Sequence, residues 1–248
     1  MNNLKNIKKK FYSDGFVHVQ NLFNKKEITE IMSEIEKIKL KFMKIKNKNM
    51  HLTKDKKFNT IHDINKFIKK GKIIDLSRDK RLISIIEKII GKNISLRNLE
   101  FFLKPKNTGK KAPIHQDNYF WNIPSKKALN VWIACTSSNI KNGGLYYFLK
   151  SHKDGVIDHE LSFQPGTSQQ IPKKHLLKKK YKKVFPSLKP GDCILHHCEV
   201  IHGSNANKSK FDRVGLVMSF KQSNAKVNKK GWKLYQNRLK KNLSFLKH

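Results

Sequence analysis

The chain reads as a mainly β protein with helical additions, and two observations predict this. From about residue 94, short β-rich runs follow one another between Gly, Pro, Asn and Lys turns. Such spacing fits a sandwich or barrel. Before that point apolar residues recur at helical intervals, so an N-terminal set of helices is expected to pack on one sheet. A length of 248 residues allows one sizeable core, and one domain over 1–248 is expected. It divides into a mostly helical part (1–93), a β core (94–222) and a C-terminal helix (223–248).

Residues 1–20 predict a short helix followed by an extended segment, FVHVQNLF. Asn24 and Glu27 then have the spacing of a capping box. Ile28, Ile31, Ile35, Ile38, Phe42 and Ile45 follow at intervals of three and four, which is one apolar helical face and carries no chemistry. Residues 47–72 are polar and irregular, and their His51 and His62 read as loop or surface histidines. A second helix is expected from Ser77 to Ile90, with Leu82, Ile85, Ile86 and Ile89 inward and Gly91 ending it. Strands are expected in SLRNLEFFLK, APIHQD, ALNVWIACT, LYYFLK, CILHHCEV and RVGLVMSFK. The stretch 160–183 has no clear element and reads as a lid or binding loop. WKLYQNRLKKNL predicts the closing helix.

Lys and Arg number 54 against 18 acidic residues, for a formal net charge of +36. Only five of the cations are Arg, and the lysines are spread over nearly every segment. That dispersion predicts a solvated lysine surface with no specific nucleic-acid face. The potential still favours anionic small molecules. An apolar fraction of 38% is too high for global disorder. Cys135, Cys193 and Cys198 cannot make a closed disulfide framework, and no signal-like segment or run of ~18 apolar residues is present. A reducing cytoplasm is therefore expected, without membrane insertion. The Cys193/Cys198 spacing around His196 and His197 raises structural zinc, but it lacks the second ligand pair such sites use.

The chemistry concentrates in His115-Gln116-Asp117 and in His202, within His-Gly-Ser 87 residues later. Side chains two apart on a strand share a face, so His115 and Asp117 are expected to reach one metal from one strand. A distant strand must bring the third ligand. Two histidines and a carboxylate are the protein ligands of a facial Fe(II) triad with open positions. Arg213 lies 11 residues beyond His202, and a guanidinium there can hold a carboxylate through two parallel hydrogen bonds. In a chain where lysine is the default cation, that arginine marks a need for planar geometry. The combination points to an Fe(II) enzyme that uses a 2-oxo acid.

These residues resemble the phytanoyl-CoA dioxygenase family of Fe(II)/2-oxoglutarate oxygenases. The resemblance runs from FYSDGFVHVQNLFNKKEI through LRNLEFFLKP, HQDNYFW, NGGLYYFLKSHKDG and KPGD to HGSNANKS and Arg213. It implies a double-stranded β-helix, a cupin-like jelly roll with the metal in its mouth. Ligand roles fall on His115, Asp117 and His202. Co-substrate roles fall on Arg213 and Ser204, with Asn98 and Lys104 as further contacts and Trp121 lining the pocket. The implied cofactors are Fe(II), 2-oxoglutarate and O2, and the implied reaction is hydroxylation with release of succinate and CO2. Related iron halogenases carry a small residue at the carboxylate position, so Asp117 favours hydroxylation.

The family's Pro-Gly-Ser-His is here Leu149, Lys150, Ser151 and His152, which predicts a looser turn. His196 and His197 are expected to be packed or hydrogen-bonded strand residues. The substrate is expected to be a small molecule, possibly an anion, among Trp121, Tyr119, Phe120 and lid residues near Gln169 and Gln170. Two other readings stay open: a nucleic-acid demethylase of the same oxygenase type, and a jelly-roll binding protein without turnover. Oligomeric state is not legible.

Overall fold

The computed structural model describes residues 2–45, 49–53, 56–107, 109–164 and 167–245. Helix α1 (Asn2–Asp14) leads into strand β1 (Phe16–Val19) and helix α2 (Lys25–Lys44). Two short strands, β2 (Met50–Leu52) and β3 (Phe58–Ile61), precede α3 (Ile64–Phe67), α4 (Lys72–Leu76) and α5 (Lys80–Ile90). The core then runs β4 (Ile94–Lys104), β5 (Ala112–His115), α6 (Asp117–Trp121), β6 (Ala128–Ala134) and β7 (Leu145–Phe148). A hairpin of β8 (Glu160–Gln164) and β9 (Thr167–Gln170) follows, then α7 (Lys173–Lys179) and β10 (Lys183–Val184). The chain ends with β11 (Cys193–His197), β12 (His202–Ser204), β13 (Arg213–Gln222) and α8 (Lys229–Phe245).

A seven-stranded sheet has the order β1-β11-β6-β13-β4-β3-β2, and a four-stranded sheet the order β10-β7-β12-β5. Every pairing in both is antiparallel. The period of two along a strand divides the large sheet into two faces. Val214, Leu216, Met218 and Phe220 of β13, with Leu99, Phe101 and Leu103 of β4, pack on the isoleucine face of α2 and on α5. The alternate residues face the small sheet, where Trp132, Ile194 and Val217 meet Tyr147. Both faces are covered, which explains why these strands read as nearly continuous apolar runs.

Local signals place the helices. Asn24 accepts from the Glu27 N–H at 2.9 Å while the Glu27 carboxylate accepts from the Asn24 N–H at 2.7 Å, a complete capping box. Ile28, Ile31, Ile35, Ile38 and Phe42 are buried as expected, whereas Ile45 is an exposed C-cap residue. Helix α5 starts at Lys80, later than Ser77, because Asp79 caps it through the Arg81 and Leu82 N–H groups. Gly91 ends it at φ 92°, a conformation that disfavours other residues.

Three departures concern the division of the chain. Strands β1, β2 and β3 lie before residue 94 yet join the large sheet. His51 sits on β2, and His62 follows β3, its Nδ1 bonded to the Glu100 carboxylate at 2.9 Å. The stretch 160–183 holds a hairpin and a helix. No helix among the described residues is long and apolar enough to cross a membrane.

Candidate active site

Pairing of β12 with the edge strand β5 in the small sheet brings His202, first residue of β12, opposite His115, last residue of β5. Their rings lie 4.4 Å apart. Asp117 does not continue β5 as expected; it opens α6. The reason is Gln116, which is fully buried and extended. Its amide donates to the Gly155 and Glu199 carbonyls and accepts from the Ile157 N–H. Its own backbone N–H donates to His159 Nε2 at 3.1 Å. The chain turns at that anchor, and the Asn118 N–H bonds the Cys198 carbonyl at 2.7 Å. His115 and Asp117 still converge, from a strand end and the first turn of a helix.

Ligand-type atoms of His115, Asp117 and His202 all lie within 4.8 Å of one another, and among the described residues this is the group that could hold a metal ion. Asp117 Oδ1 is 3.7 Å from His115 Nε2 and 3.9 Å from His202 Nε2. Each histidine spends Nδ1–H on a carbonyl, Pro113 at 2.8 Å and Val200 at 3.0 Å. That fixes the tautomer and turns the Nε2 lone pair toward the shared centre. Burial, together with the neighbouring His115, brings the His202 pKa down to about 3, so the ring is neutral and able to ligate.

The second carboxylate oxygen is held from behind. Asp117 Oδ2 accepts from Asn130 Nδ2 at 2.7 Å and from His196 Nε2 at 2.9 Å. Asn130 in turn accepts from the Ser219 hydroxyl. His196 Nδ1 meets the Tyr147 hydroxyl at 3.1 Å. Burial alone would raise the Asp117 pKa, but His202, His115 and His196 hold it well below the usual carboxylate range. Asn98, Ser219, Asn130 and His196 form one row across β4, β13, β6 and β11. Of this row, Asn98 is expected from sequence as a co-substrate contact and His196 as a packed or hydrogen-bonded strand residue. Asn130 and Ser219 carry no sequence expectation, although Asn130 is the lone polar residue in ALNVWIA. His197 lies apart, its ring against His152 and Phe11.

At the other end of β13, Arg213 is buried opposite Lys104. Its Nη2 donates to the Gly143 carbonyl at 3.3 Å, and its guanidinium lies 5.5 Å from the Trp132 ring. A side chain at Gly215 would put Cβ 2.2 Å from that indole, so glycine lets Trp132 lie across the strand. Arg213 Nε is buried without a hydrogen-bond partner among the described residues. Lys104 donates to the Asn205 carbonyl. Burial and the adjacent Arg213 push the Lys104 pKa well below its ordinary value, and burial takes Arg213 down to about 10. Two buried cations with an orphaned guanidine N–H suit a carboxylate. Ser204 is buried on β12, two residues from His202, paired with Leu145.

Trp121 is buried at the end of α6 beside Ile123 and Ala128. Phe120 sets its edge on His115 at 5.7 Å and meets Tyr235 of α8 at 5.4 Å. Tyr119 stacks on His159 at 4.0 Å and is bonded by Arg238. Helix α8 and the β8–β9 hairpin therefore wall this side, joined by the Phe163 N–H to Asn242 at 2.9 Å. Gln170 donates to Glu160, while the Gln169 amide is buried without a partner among the described residues. The turn at Leu149–His152 is firmly held: the Ser151 hydroxyl accepts from the Ile201 N–H at 2.9 Å, and the Lys150 N–H donates to Asp14 O at 3.0 Å. The three cysteines are buried and form no disulfide.

Fold and site together define a jelly-roll protein with a His-Asp-His metal centre. The chain belongs to the phytanoyl-CoA dioxygenase (PhyH) family, whose sequence model matches residues 11–215. It is 26% identical over 231 residues to the peroxisomal phytanoyl-CoA dioxygenase of Bos taurus, covering 87% of this chain and 68% of the relative. It is 25% identical over 239 residues to the ectoine dioxygenase of Bordetella bronchiseptica, covering 87% and 74%. A probable alpha-ketoglutarate-dependent hypophosphite dioxygenase of Stutzerimonas stutzeri is 22% identical over 225 residues, covering 88% and 78%. Among solved structures, iron-bound EctD from S. alaskensis superposes with a TM-score of 0.74 at 19% identity, over 90% of this chain and 78% of that one. The epimerase SnoN, in complex with Fe3+, alpha ketoglutarate and nogalamycin RO, gives 0.72 at 18%, over 90% and 85%. The double-stranded β-helix expected from sequence is the fold these structures share.

Proposed function

We propose that the chain is an Fe(II)- and 2-oxoglutarate-dependent dioxygenase that hydroxylates a small molecule. The observation that carries this reading is the convergence of His115, Asp117 and His202 from three elements, with the outer oxygen of the carboxylate already engaged by Asn130 and His196. The donor set fits iron: two imidazoles with free Nε2 and one carboxylate leave positions for further ligands. Iron and 2-oxoglutarate, when bound, would let O2 act as the oxidant, with one oxygen atom going to succinate as 2-oxoglutarate loses CO2 and the other to the hydroxylated substrate.

The chain's own part is positioning. His115 and His202 are held by the Pro113 and Val200 carbonyls, and Asp117 by the polar row beneath it. Arg213 takes the distal carboxylate of the co-substrate, with Lys104 adding charge and Ser204 a hydroxyl. Asn98 would add an amide contact to the co-substrate, and Trp121 would line the pocket around the metal. A carboxylate at position 117 favours hydroxylation over halogenation. The net charge of +36 favours an anionic substrate, and three buried cysteines outside disulfides suit a reducing cytoplasm. Lysines occur on helices, turns and tail alike, which supports a small-molecule substrate over nucleic acid.

The test is conversion of 2-oxoglutarate to succinate by purified protein with Fe(II) and a metabolite library, with mass spectrometry of the products. A product heavier by one oxygen, formed with stoichiometric succinate, is expected. Turnover with methylated oligonucleotides alone, at about 0.15 M salt where the Debye length is ~8 Å, would contradict the small-molecule reading.

A further inference from the structure

Pairing between β4 and β13 slips by one residue near the metal. Ser219 faces Asn98 and Phe220 faces Leu96, so Arg97 is the extra residue of a β-bulge. In a regular strand Arg97 would point with Leu99 toward the helices. The bulge frees it from that alternation. Arg97 Nη1 donates to Asn98 Oδ1 at 3.0 Å, and the guanidinium lies 4.8 Å over the ring of Trp121. Trp121 closes the helix that Asp117 opens.

This cation has no ion-pair partner among the described residues. Glu100, the nearest acid along the strand, is bonded to His62. The one hydrogen bond Arg97 makes among the described residues goes to a neutral amide, although the side chain is half-buried. Burial lowers its pKa, as for a charge short of solvent. Stacking on an indole fixes the guanidinium plane and leaves its remaining N–H edges for a ligand.

The ligand is not the co-substrate held at Arg213. Lys104, opposite Arg213, lies seven residues further along β4, roughly 20 Å at the rise of an extended strand. The row of Asn98, Ser219 and Asn130 that supports Asp117 falls between them. Arg97 therefore lies at the far end of that row from the carboxylate clamp, over Trp121 of the helix that Asp117 opens.

We propose that Arg97 is a substrate-recognition residue: delivered by the bulge and held flat on Trp121, it binds a carboxylate of the molecule that is hydroxylated. This deepens the proposed function and rests on it. It narrows the substrate class to small carboxylic acids oxidised at a carbon away from the acid group.

The experiment is anaerobic thermal melting of the protein loaded with Fe(II) and saturating 2-oxoglutarate, since a ligand that binds the folded state raises Tm. Three matched pairs serve as probes: hexanoate and hexanamide, phenylacetate and phenylacetamide, N-acetylproline and N-acetylprolinamide. At least one carboxylate should raise Tm with an apparent affinity ten-fold or more above its amide. Arg97→Gln should abolish that preference, and Arg97→Lys should retain part of it. Both variants should keep the stabilisation produced by 2-oxoglutarate itself. The proposal is overturned if no carboxylate outperforms its amide, if the preference survives Arg97→Gln, or if Arg97→Gln also loses the 2-oxoglutarate shift. The last result would make Arg97 a support for Asn98. A wild-type protein that 2-oxoglutarate fails to stabilise would instead sink the oxygenase reading, so the two failures are distinguishable.

Discussion

The two faces of the seven-stranded sheet are built from the same strands and do opposite work. On one face, Leu99, Phe101, Leu216, Met218 and Phe220 pack with the helices in one apolar cluster. On the other, Asn98, Lys104, Arg213 and Ser219 alternate with them and carry the polar row and the buried cations. Stability on the first face comes from filled volume. Function on the second comes from polar side chains held in place, with the buried Arg213 Nε left without a partner among the described residues and so open to a ligand. The difference teaches that strand period, not segment, separates structural from chemical residues here, and that the bulge between β4 and β13 delivers Arg97.

Substitutions that respect this division should separate the two properties. The largest effect belongs to Asp117→Ala, which should remove succinate formation, by 1,000-fold or more, through loss of the only carboxylate in the metal group. Retention of coupled turnover by the purified variant contradicts the assignment. On the opposite face, Phe101→Ala should cost about 3–5 kcal/mol of stability by opening a cavity, read as a lower denaturant midpoint. Iron and 2-oxoglutarate affinity of the folded fraction should stay near wild type.

Asn130→Ala tests whether the row behind the metal matters. Losing one hydrogen bond to Asp117 should cost roughly 10–100-fold in metal affinity or activity, measured by Fe(II) titration. A silent variant would assign the row to packing. Arg213→Lys keeps charge but loses the planar fork, and the apparent KM for 2-oxoglutarate should rise about ten-fold. An unchanged KM would hand the distal carboxylate to Lys104.

The smallest effect is on pH. Burial brings His197 and His159 to about 3, below the ~6.5 of an unfolded histidine. The unfolded chain therefore binds more protons below that value. This contribution is complete above pH ~6.5 and is lost as pH falls toward 3. Metal-free protein should lose roughly 10 °C of Tm between pH 7 and pH 4. A His197→Phe variant should lose less, and an equal loss would exclude this histidine as a cause.

Legibility in the sequence followed the same division. Strands β4, β6, β11 and β13 were readable because apolar residues fill the helix-facing side and recur on the other, as Trp132, Ile194 and Val217 do. The spacing of His202, Ser204 and Arg213 survived because all three lie close in sequence around one turn. Strands β2 and β3 were not readable, being three and four residues long. Strand β9, as TSQQ, carries no apolar alternation. The same-strand geometry expected for His115 and Asp117 failed on Gln116, whose partners Gly155 and Glu199 are distant in sequence. His196 was read as a packed or hydrogen-bonded strand residue, yet its bond to Asp117 spans 79 positions. The Arg97 bulge needs the register of β13, which no single segment contains.

The most direct measurement is Fe(II) stoichiometry by anaerobic equilibrium dialysis with 2-oxoglutarate present. Wild type and His197→Ala should each retain one iron per chain, and His202→Ala should retain none. Iron kept by His202→Ala and lost from His197→Ala would move the third ligand to β11 and contradict the site described above.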